Sequence, residues 1–180
     1  ACDPTELRVL EQPVRDDRAE PRTTSMGRLF DAVASLLGLR HHITYEAQAA
    51  IELEHLAATA PEAGPELRFA LRPDLSFDAA PVVRGLVNGL RHAVPRAALA
   101  RGFHRAVTLL VADVSETVRR ERGLSTVGLT GGVFQNDLLT RATDTELERR
   151  GFAVLTHRMV PPNDGGLALG QVAVAAHSIT

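Results

Sequence analysis

The spacing of apolar residues predicts helices in the first half of the chain. Behind Thr23-Thr24-Ser25, which is typical of a helix N-cap, apolar residues recur every three or four positions up to Gly38. A second helix is predicted to begin near Thr44 and to end at the prolines of 61–65. Two more are predicted over 81–93 and from Pro95 onward. The last has one apolar face suited to packing on a sheet: Phe103, Val107, Leu110, Val111, Val114 and Val118.

From residue 125 the pattern changes to strands that alternate with helices. Apolar runs at 126–129 and 152–156 are predicted strands, and 136–149 and 165–177 are predicted helices. This order predicts a parallel sheet with crossover helices, so the predicted fold class is α/β. An edge strand is expected at 67–71. Residues 1–22 carry three prolines and several charges, and we expect them to be an irregular lead-in.

Composition and charge argue against several classes of protein. A chain of 180 residues suffices for one well-buried domain or one lobe of a larger one. The net charge of −2 gives no reason to expect a nucleic-acid partner, and Arg119-Arg120-Glu121-Arg122 is interpreted as a solvated helix end. Without a long apolar run, no membrane span or secretory signal is expected, and the predicted location is the cytoplasm. Cys2 is the only cysteine, which excludes an intrachain disulfide.

The first candidate for chemistry is the Gly131-Gly132 turn, which follows a predicted strand. A glycine turn between a strand and a helix presents bare backbone N–H groups to a nucleotide. Asn136 opens the next helix and can direct its amide at a sugar or base. The alternatives are a tight strand-to-helix connection for the glycines and a simple N-cap for Asn136.

A second turn, 161–166, follows the next predicted strand and has Asp164 at its tip. Loops after successive parallel strands meet at one edge of the sheet, so Asp164 is expected to face the same cleft as Gly131, Gly132 and Asn136. A carboxylate beside phosphate requires an intervening cation, which makes Asp164 a candidate metal ligand. The alternative is an N-cap aspartate, and that role does not exclude ligation.

For other polar residues, the sequence is compatible with more than one role. Asp31 is either an exposed helix residue or an acceptor for ribose hydroxyls, and Glu46 is either a first-turn charge or a site residue. For His104, hydrogen-bonded packing is favoured over catalysis. The chain lacks HxxxH and HExxH motifs, which argues against a self-contained metal site.

Five segments together carry a family resemblance: SMGRLFDA (25–32), TYEAQAAIELE (44–54), GFHRAV (102–107), LTGGVFQN (129–136) and VPPNDGGLALGQ (160–171). In this order they resemble the C-terminal part of the Kae1-like domain of HypF-type carbamoyltransferases, which mature [NiFe] hydrogenases. The resemblance covers nearly everything from about residue 21. It implies that 23–180 form the second lobe of an actin-like, sugar-kinase-like ATPase fold, with the first lobe outside this chain.

The resemblance also implies an activity. Carbamoyl phosphate and ATP would give carbamoyl adenylate, and the carbamoyl group would pass to the C-terminal cysteine of the partner protein HypE, toward the cyanide ligands of the hydrogenase. By similarity, Gly131, Gly132 and Asn136 would contact the adenosine, Asp31 the ribose and Asp164 a divalent metal (iron, zinc or magnesium). Glu46 and Gln48 would line the site. A histidine pair of the first lobe would complete the metal site.

Two points qualify the resemblance. Ala47 stands where the family usually has glycine. Without the first lobe, we expect an inactive chain with weak nucleotide affinity and exposed apolar surface that promotes self-association. The alternatives are a lobe of an antibiotic-type O-carbamoyltransferase and a non-catalytic module for nucleotide binding or partner docking.

Overall fold

The computed structural model describes residues 23–61 and 64–178, so the predicted lead-in and Cys2 lie outside it. Helices dominate the described part, and two small sheets accompany them. The elements are α1 (Met26–Leu36), α2 (Gln48–Ala58), β1 (Ala70–Leu71), β2 (Phe77–Asp78), α3 (Ala80–Arg91), α4 (Arg96–Arg122), β3 (Thr126–Leu129), α5 (Asp137–Arg149), β4 (Ala153–Thr156) and α6 (Leu167–Ser178). Short 3₁₀ turns lie at Gly132–Gln135 and Asp164–Gly166.

The boundaries of α1 follow the predicted caps, whereas the start of α2 does not. The Ser25 side chain accepts a hydrogen bond from the Arg28 N–H at the start of α1, and Gly38 follows the helix with φ 70°. The prediction that α2 begins near Thr44 is wrong by four residues. There the Gln48 side chain accepts the Thr44 N–H at 2.8 Å, and Ala47 is left-handed, so regular helix begins only at Gln48.

Helix α4 is the central element of the hydrophobic core. Its first half packs against α1, α2 and α3 around Phe30, Phe103 and Leu99. Its second half contributes Ala112 to a smaller cluster with Leu129 and Phe152 beside the β3–β4 pair. The predicted packing of this helix on a sheet is therefore right only for its C-terminal half, because other helices cover the rest.

The predicted α/β class and the parallel crossover are confirmed. Strands β3 and β4 are parallel, with Thr126 opposite Ala153 and Leu129 opposite Thr156, and α5 connects them. The predicted edge strand 67–71 shortens to β1, which pairs with β2 in an antiparallel hairpin that the sequence pattern did not reveal. Each sheet has two strands in the described part of the chain.

Helix α6 is apolar but exposed. Leu167, Leu169, Val172 and Val174, which we call the α6 surface, each expose more than half of their accessible area. A helix that is apolar on every side is normally covered by other elements. None of the helices in the described ranges is long and apolar enough to cross a membrane.

Candidate functional site

The first glycine turn is built as the sequence pattern predicted. Gly131 has φ 97°, a conformation that side chains rarely tolerate, and the 3₁₀ turn from Gly132 leads directly into Asn136. The Gly131 N–H donates to the carbonyl oxygen of Pro162 at 2.7 Å. This hydrogen bond joins the first turn to the second, so the two turns form one unit.

In the second turn, Asn163 and not Asp164 provides the cap. The Asn163 Oδ1 accepts the Gly165 N–H at 3.1 Å, and the Asp164 carboxylate has no hydrogen-bond partner among the described residues. The alternative interpretation of Asp164 as an N-cap is therefore wrong. Its carboxylate is left available for a ligand.

A cleft of about 630 Å³ lies where these turns meet α1 and the segment before α2. Asp31, Glu46, Gly132, Asn136 and Asp164 all line it, so five of the seven predicted site residues come together. The sixth, Gly131, supports the turn through Pro162. Gln48 does not line the cleft, because its amide is hydrogen-bonded to Thr44 and Glu52.

Negative charge predominates in the cleft. Its lining includes four carboxylates, those of Asp31, Glu46, Glu54 and Asp164, and the single described cation among the lining residues is Arg28. The Arg28 guanidinium lies 3.0 Å from the Asp31 carboxylate, so part of its charge is already neutralised. A phosphate group entering this cleft would be repelled unless a cation accompanied it.

Asn136 is both a helix cap and a cleft residue. Its Oδ1 accepts the Leu139 N–H at 2.8 Å, which caps α5, and its Nδ2 donates to His104 Nε2 at 3.0 Å. The His104 Nδ1 donates in turn to the Ala100 carbonyl oxygen at 2.8 Å. Burial lowers the pKa of His104 to about 4, so its ring is neutral at pH 7. The sequence-based expectation of a hydrogen-bonded, packed histidine is confirmed.

Three residues near the cleft were not proposed from the sequence. Glu54 accepts the Leu138 N–H at 3.0 Å and so caps the start of α5 beside Asn136. Arg28 pairs with Asp31 three residues later on α1, a spacing that could have revealed it. The hydrogen bond between His104 and Asn136 could not be predicted from the sequence, because the two residues are 32 positions apart.

The described residues do not form a complete metal site. They contain no group of three His, Cys, Asp or Glu side chains that could hold an ion. The adjacent His41 and His42 do not converge on the cleft: the His41 Nδ1 lies 2.8 Å from the Ser35 hydroxyl, and neither histidine lines the cleft.

Ala47 lies at the edge of the cleft in a strained conformation, with φ 62°. A left-handed conformation costs a non-glycine residue about 1 kcal/mol. We therefore expect Ala47→Gly to raise the stability of the chain by up to about 1 kcal/mol, or about 2 °C in melting temperature. Thermal unfolding followed by circular dichroism measures this change. The control is Ala50→Gly inside α2, where the same substitution should lower the stability of the chain by about 1 kcal/mol. A loss of stability at both positions would contradict backbone strain at Ala47.

Comparison with known proteins decides the family. Residues 2–171 match the family model described as the carbamoyltransferase Kae1-like domain, second subdomain, of HypF. The chain belongs to the HypF carbamoyltransferase family. It is similar to carbamoyltransferase HypF of Rhodobacter capsulatus, with 41% identity over 168 residues, 87% of this chain and 20% of that protein. It is also similar to HypF of Synechocystis, with 36% identity over 154 residues, 84% of this chain and 19% of that protein.

Solved HypF structures share the fold. A crystal structure of full-length HypF in a phosphate- and nucleotide-bound form superposes with TM-score 0.85 and 34% identity, covering 96% of this chain and 23% of that one. HypF of T. kodakarensis, at 24% identity, has the same fold with TM-score 0.83 over 97% of this chain and 22% of that one. The chain thus spans about a fifth of the length of its HypF relatives.

Proposed function

We propose that residues 23–180 are the C-terminal lobe of a HypF carbamoyltransferase, built on an actin-like, sugar-kinase-like ATPase fold. In this proposal the lobe supplies one wall of the site where carbamoyl adenylate is held. The observation that carries the proposal is that Asp31, Gly132, Asn136 and Asp164 line the same cleft. Gly132, Asn136 and Asp164 come from the two turns of the parallel β3–α5–β4 unit, and Asp31 comes from α1, an arrangement suited to a nucleotide.

The nucleoside would lie against the first turn. A Cβ atom at Gly132 would meet no described atom within 4 Å, so the turn leaves room for a ligand to approach the backbone. Asn136 would contact the adenosine through its remaining N–H, and Asp31 would accept hydrogen bonds from the ribose hydroxyls. The nucleotide-bound form of a full-length HypF with 34% identity supports nucleotide binding by this family.

The cleft also fits part of a metal site. Asp164 supplies a carboxylate that has no hydrogen-bond partner within 23–61 and 64–178, and the surplus of acids around it favours a bound cation. We propose that Asp164 binds a divalent metal, iron, zinc or magnesium, whose site is completed by a histidine pair from the lobe outside this chain. Such a metal, when bound, supplies Lewis-acid polarisation of phosphate and carbonyl oxygens. Glu46 would line the site.

The proposed reaction has two stages. Carbamoyl phosphate, ATP and water form carbamoyl adenylate with release of inorganic phosphate and pyrophosphate. The C-terminal cysteine thiolate of HypE then attacks the carbamoyl carbon. A C–S bond forms, the acyl C–O bond breaks, and AMP leaves. The residues of this chain hold the adenylate and orient its acyl group toward the thiolate. The thiocarbamate formed on HypE is the precursor of the hydrogenase cyanide ligands.

The test measures transfer of the radiolabelled carbamoyl group from carbamoyl phosphate to HypE. The full-length enzyme, of which this chain forms the C-terminal lobe, should label HypE in the presence of ATP. The 180-residue chain alone should give no labelling and should bind an adenylate analogue weakly by calorimetry. Comparably tight analogue binding by both proteins would contradict the proposed division into lobes, and labelling of a small hydroxyl compound instead of HypE would favour an O-carbamoyltransferase.

We further propose that the rest of the longer protein covers the α6 surface, so that the chain alone self-associates. The exposure of Val172 and Val174, 65% and 68%, supports this. Size-exclusion chromatography at two concentrations should show larger species at the higher one. The double variant Val172→Asp, Val174→Asp should abolish this shift, whereas the control Arg122→Asp at the end of α4 should not. A concentration-independent monomer would contradict the proposal.

A further inference from the structure

His104 is a polar ring within an apolar core. It is 2% exposed, and its ring packs edge-on against Phe30, with ring centroids 5.3 Å apart, and against Phe103, at 6.1 Å. It does not line the acidic cleft. A phenylalanine would fill the same space without the cost of burying two ring nitrogens, so packing alone does not explain a histidine at this position.

The hydrogen bonds of His104 determine where its proton lies. The Ala100 carbonyl oxygen can only accept, so the His104 Nδ1 carries the hydrogen. Nε2 is then an acceptor, and the group that faces it must be the NH₂ of Asn136. Protonation of Nε2 would place two donors face to face, and the buried surroundings oppose it.

The same contacts determine the orientation of the Asn136 amide. Its Oδ1 faces the Leu139 N–H, and its Nδ2 faces His104 Nε2. A flipped amide would set the NH₂ against the Leu139 N–H and the oxygen against the Nε2 lone pair, so both contacts would become repulsive. Asn136 therefore has both functional atoms engaged, and one N–H is left for the cleft that it lines.

We propose that His104 is a positioning residue that sets Asn136 as a hydrogen-bond donor toward the bound nucleoside. This rests on the proposed function of the cleft and specifies its chemistry. The Asn136 N–H that is left for the cleft pairs with an acceptor of the nucleoside, a ring nitrogen or a ribose oxygen. His104 itself does not touch the nucleotide.

Three variants of the full-length enzyme test this role. His104→Phe keeps the ring and removes the acceptor, whereas His104→Gln offers an oxygen that can accept from Asn136. His92→Phe is the matched control, because the His92 Nδ1 makes the same contact with the backbone carbonyl four residues earlier, Asn88, at 2.8 Å, but is exposed. For each variant, ATP affinity is measured by calorimetry, along with KM, kcat and melting temperature.

We expect His104→Phe to weaken ATP binding and raise KM about tenfold with little change in kcat, the effect of one lost directed hydrogen bond. His104→Gln should restore most of the affinity, and His92→Phe should match the wild type. Wild-type affinity in His104→Phe would overturn the proposal. Equal losses of affinity and melting temperature in His104→Phe and His104→Gln would overturn it too, since they indicate a purely structural role.

A second measurement does not depend on the folding of any variant. ATP analogues that each lack one acceptor atom of the adenine ring or ribose are titrated into the wild-type enzyme. One analogue should bind about tenfold more weakly than ATP, and the proposal is overturned if none does. If the wild type does not bind ATP in this lobe at all, the proposed function fails first, so the two failures are distinguishable.

Discussion

Replacement of Asp164 by asparagine in the full-length enzyme is expected to lower carbamoyl transfer to HypE about 100-fold or more. The Asp164 carboxylate lines the acidic cleft and has no hydrogen-bond partner among the described residues, so it contributes little to folding. Asparagine has nearly the same shape but lacks the negative charge that a hard divalent cation prefers. A 100-fold loss corresponds to about 2.7 kcal/mol, within the range of a metal ligand that stabilises developing charge.

The measurement is the initial rate of HypE labelling as a function of metal concentration. The Asp164→Asn enzyme should require more metal for half-maximal rate. Asp137→Asn is the matched control, because Asp137 is also at the start of a helical segment but pairs with Arg141 and does not line the cleft. Its rate and metal dependence should equal those of the wild type. An Asp164→Asn enzyme with wild-type rate and metal dependence would remove Asp164 from the proposed site.

Phe30→Ala should reduce the free energy of unfolding of the 180-residue chain by about 3 to 5 kcal/mol. Phe30 is almost completely buried, and its ring centroid lies 4.9 Å from that of Phe103 in an edge-to-face arrangement. Such aromatic pairs contribute beyond the area that they bury. The substitution opens a cavity between α1 and α4, and Phe30 also lines the cleft, so nucleotide affinity should fall together with stability.

Urea denaturation followed by circular dichroism provides this measurement. The control is Phe77→Ala in the β1–β2 hairpin, where Phe77 is 36% exposed and contacts Phe69. Its cost should be near 1 kcal/mol, since less of the side chain leaves water on folding. If the two variants lost equal stability, the α1–α4 contact would not be the centre of the core.

The sequence was most informative where local chemistry and topology agree. Ser25 caps α1 as predicted, because a serine oxygen satisfies an otherwise unpaired N–H. The meeting of Asn136 and Asp164 at one cleft was also predicted, because both follow parallel strands whose carboxyl ends lie side by side. What these two residues bind is still a prediction.

Contacts between residues far apart in sequence could not be predicted. The pairing of His104 with Asn136 and that of Glu54 with Leu138 join segments 32 and 84 residues apart, and no local pattern encodes them. Neighbouring caps were also ambiguous. Asn163 and Asp164 are both good capping residues, and the hydrogen bond from the Gly165 N–H to Asn163 Oδ1 shows that Asn163 takes that role.

The short hairpin and the helix start at Gln48 were missed for a related reason. Strands of two residues give no periodic signal, and their pairing depends on the turn between them. At Ala47, a non-glycine residue adopts a left-handed conformation that local preference disfavours. Hydrogen bonds outweigh that preference: Arg40 donates to Glu52, and Gln48 accepts the Thr44 N–H. Gln48 also donates to Glu52.

The most direct test of a nucleotide site between the two turns is calorimetric titration of the Gly132→Val full-length enzyme with an adenylate analogue. A Cβ atom at Gly132 meets no atom of the described structure within 4 Å, so we expect the fold to tolerate valine while the nucleoside is excluded from the turn. Gly128→Val in β3, equally open but outside the cleft, is the control. We predict that both variants keep the wild-type melting temperature and that Gly132→Val alone binds the adenylate analogue at least tenfold more weakly. Wild-type affinity in Gly132→Val would contradict a nucleotide site at this turn.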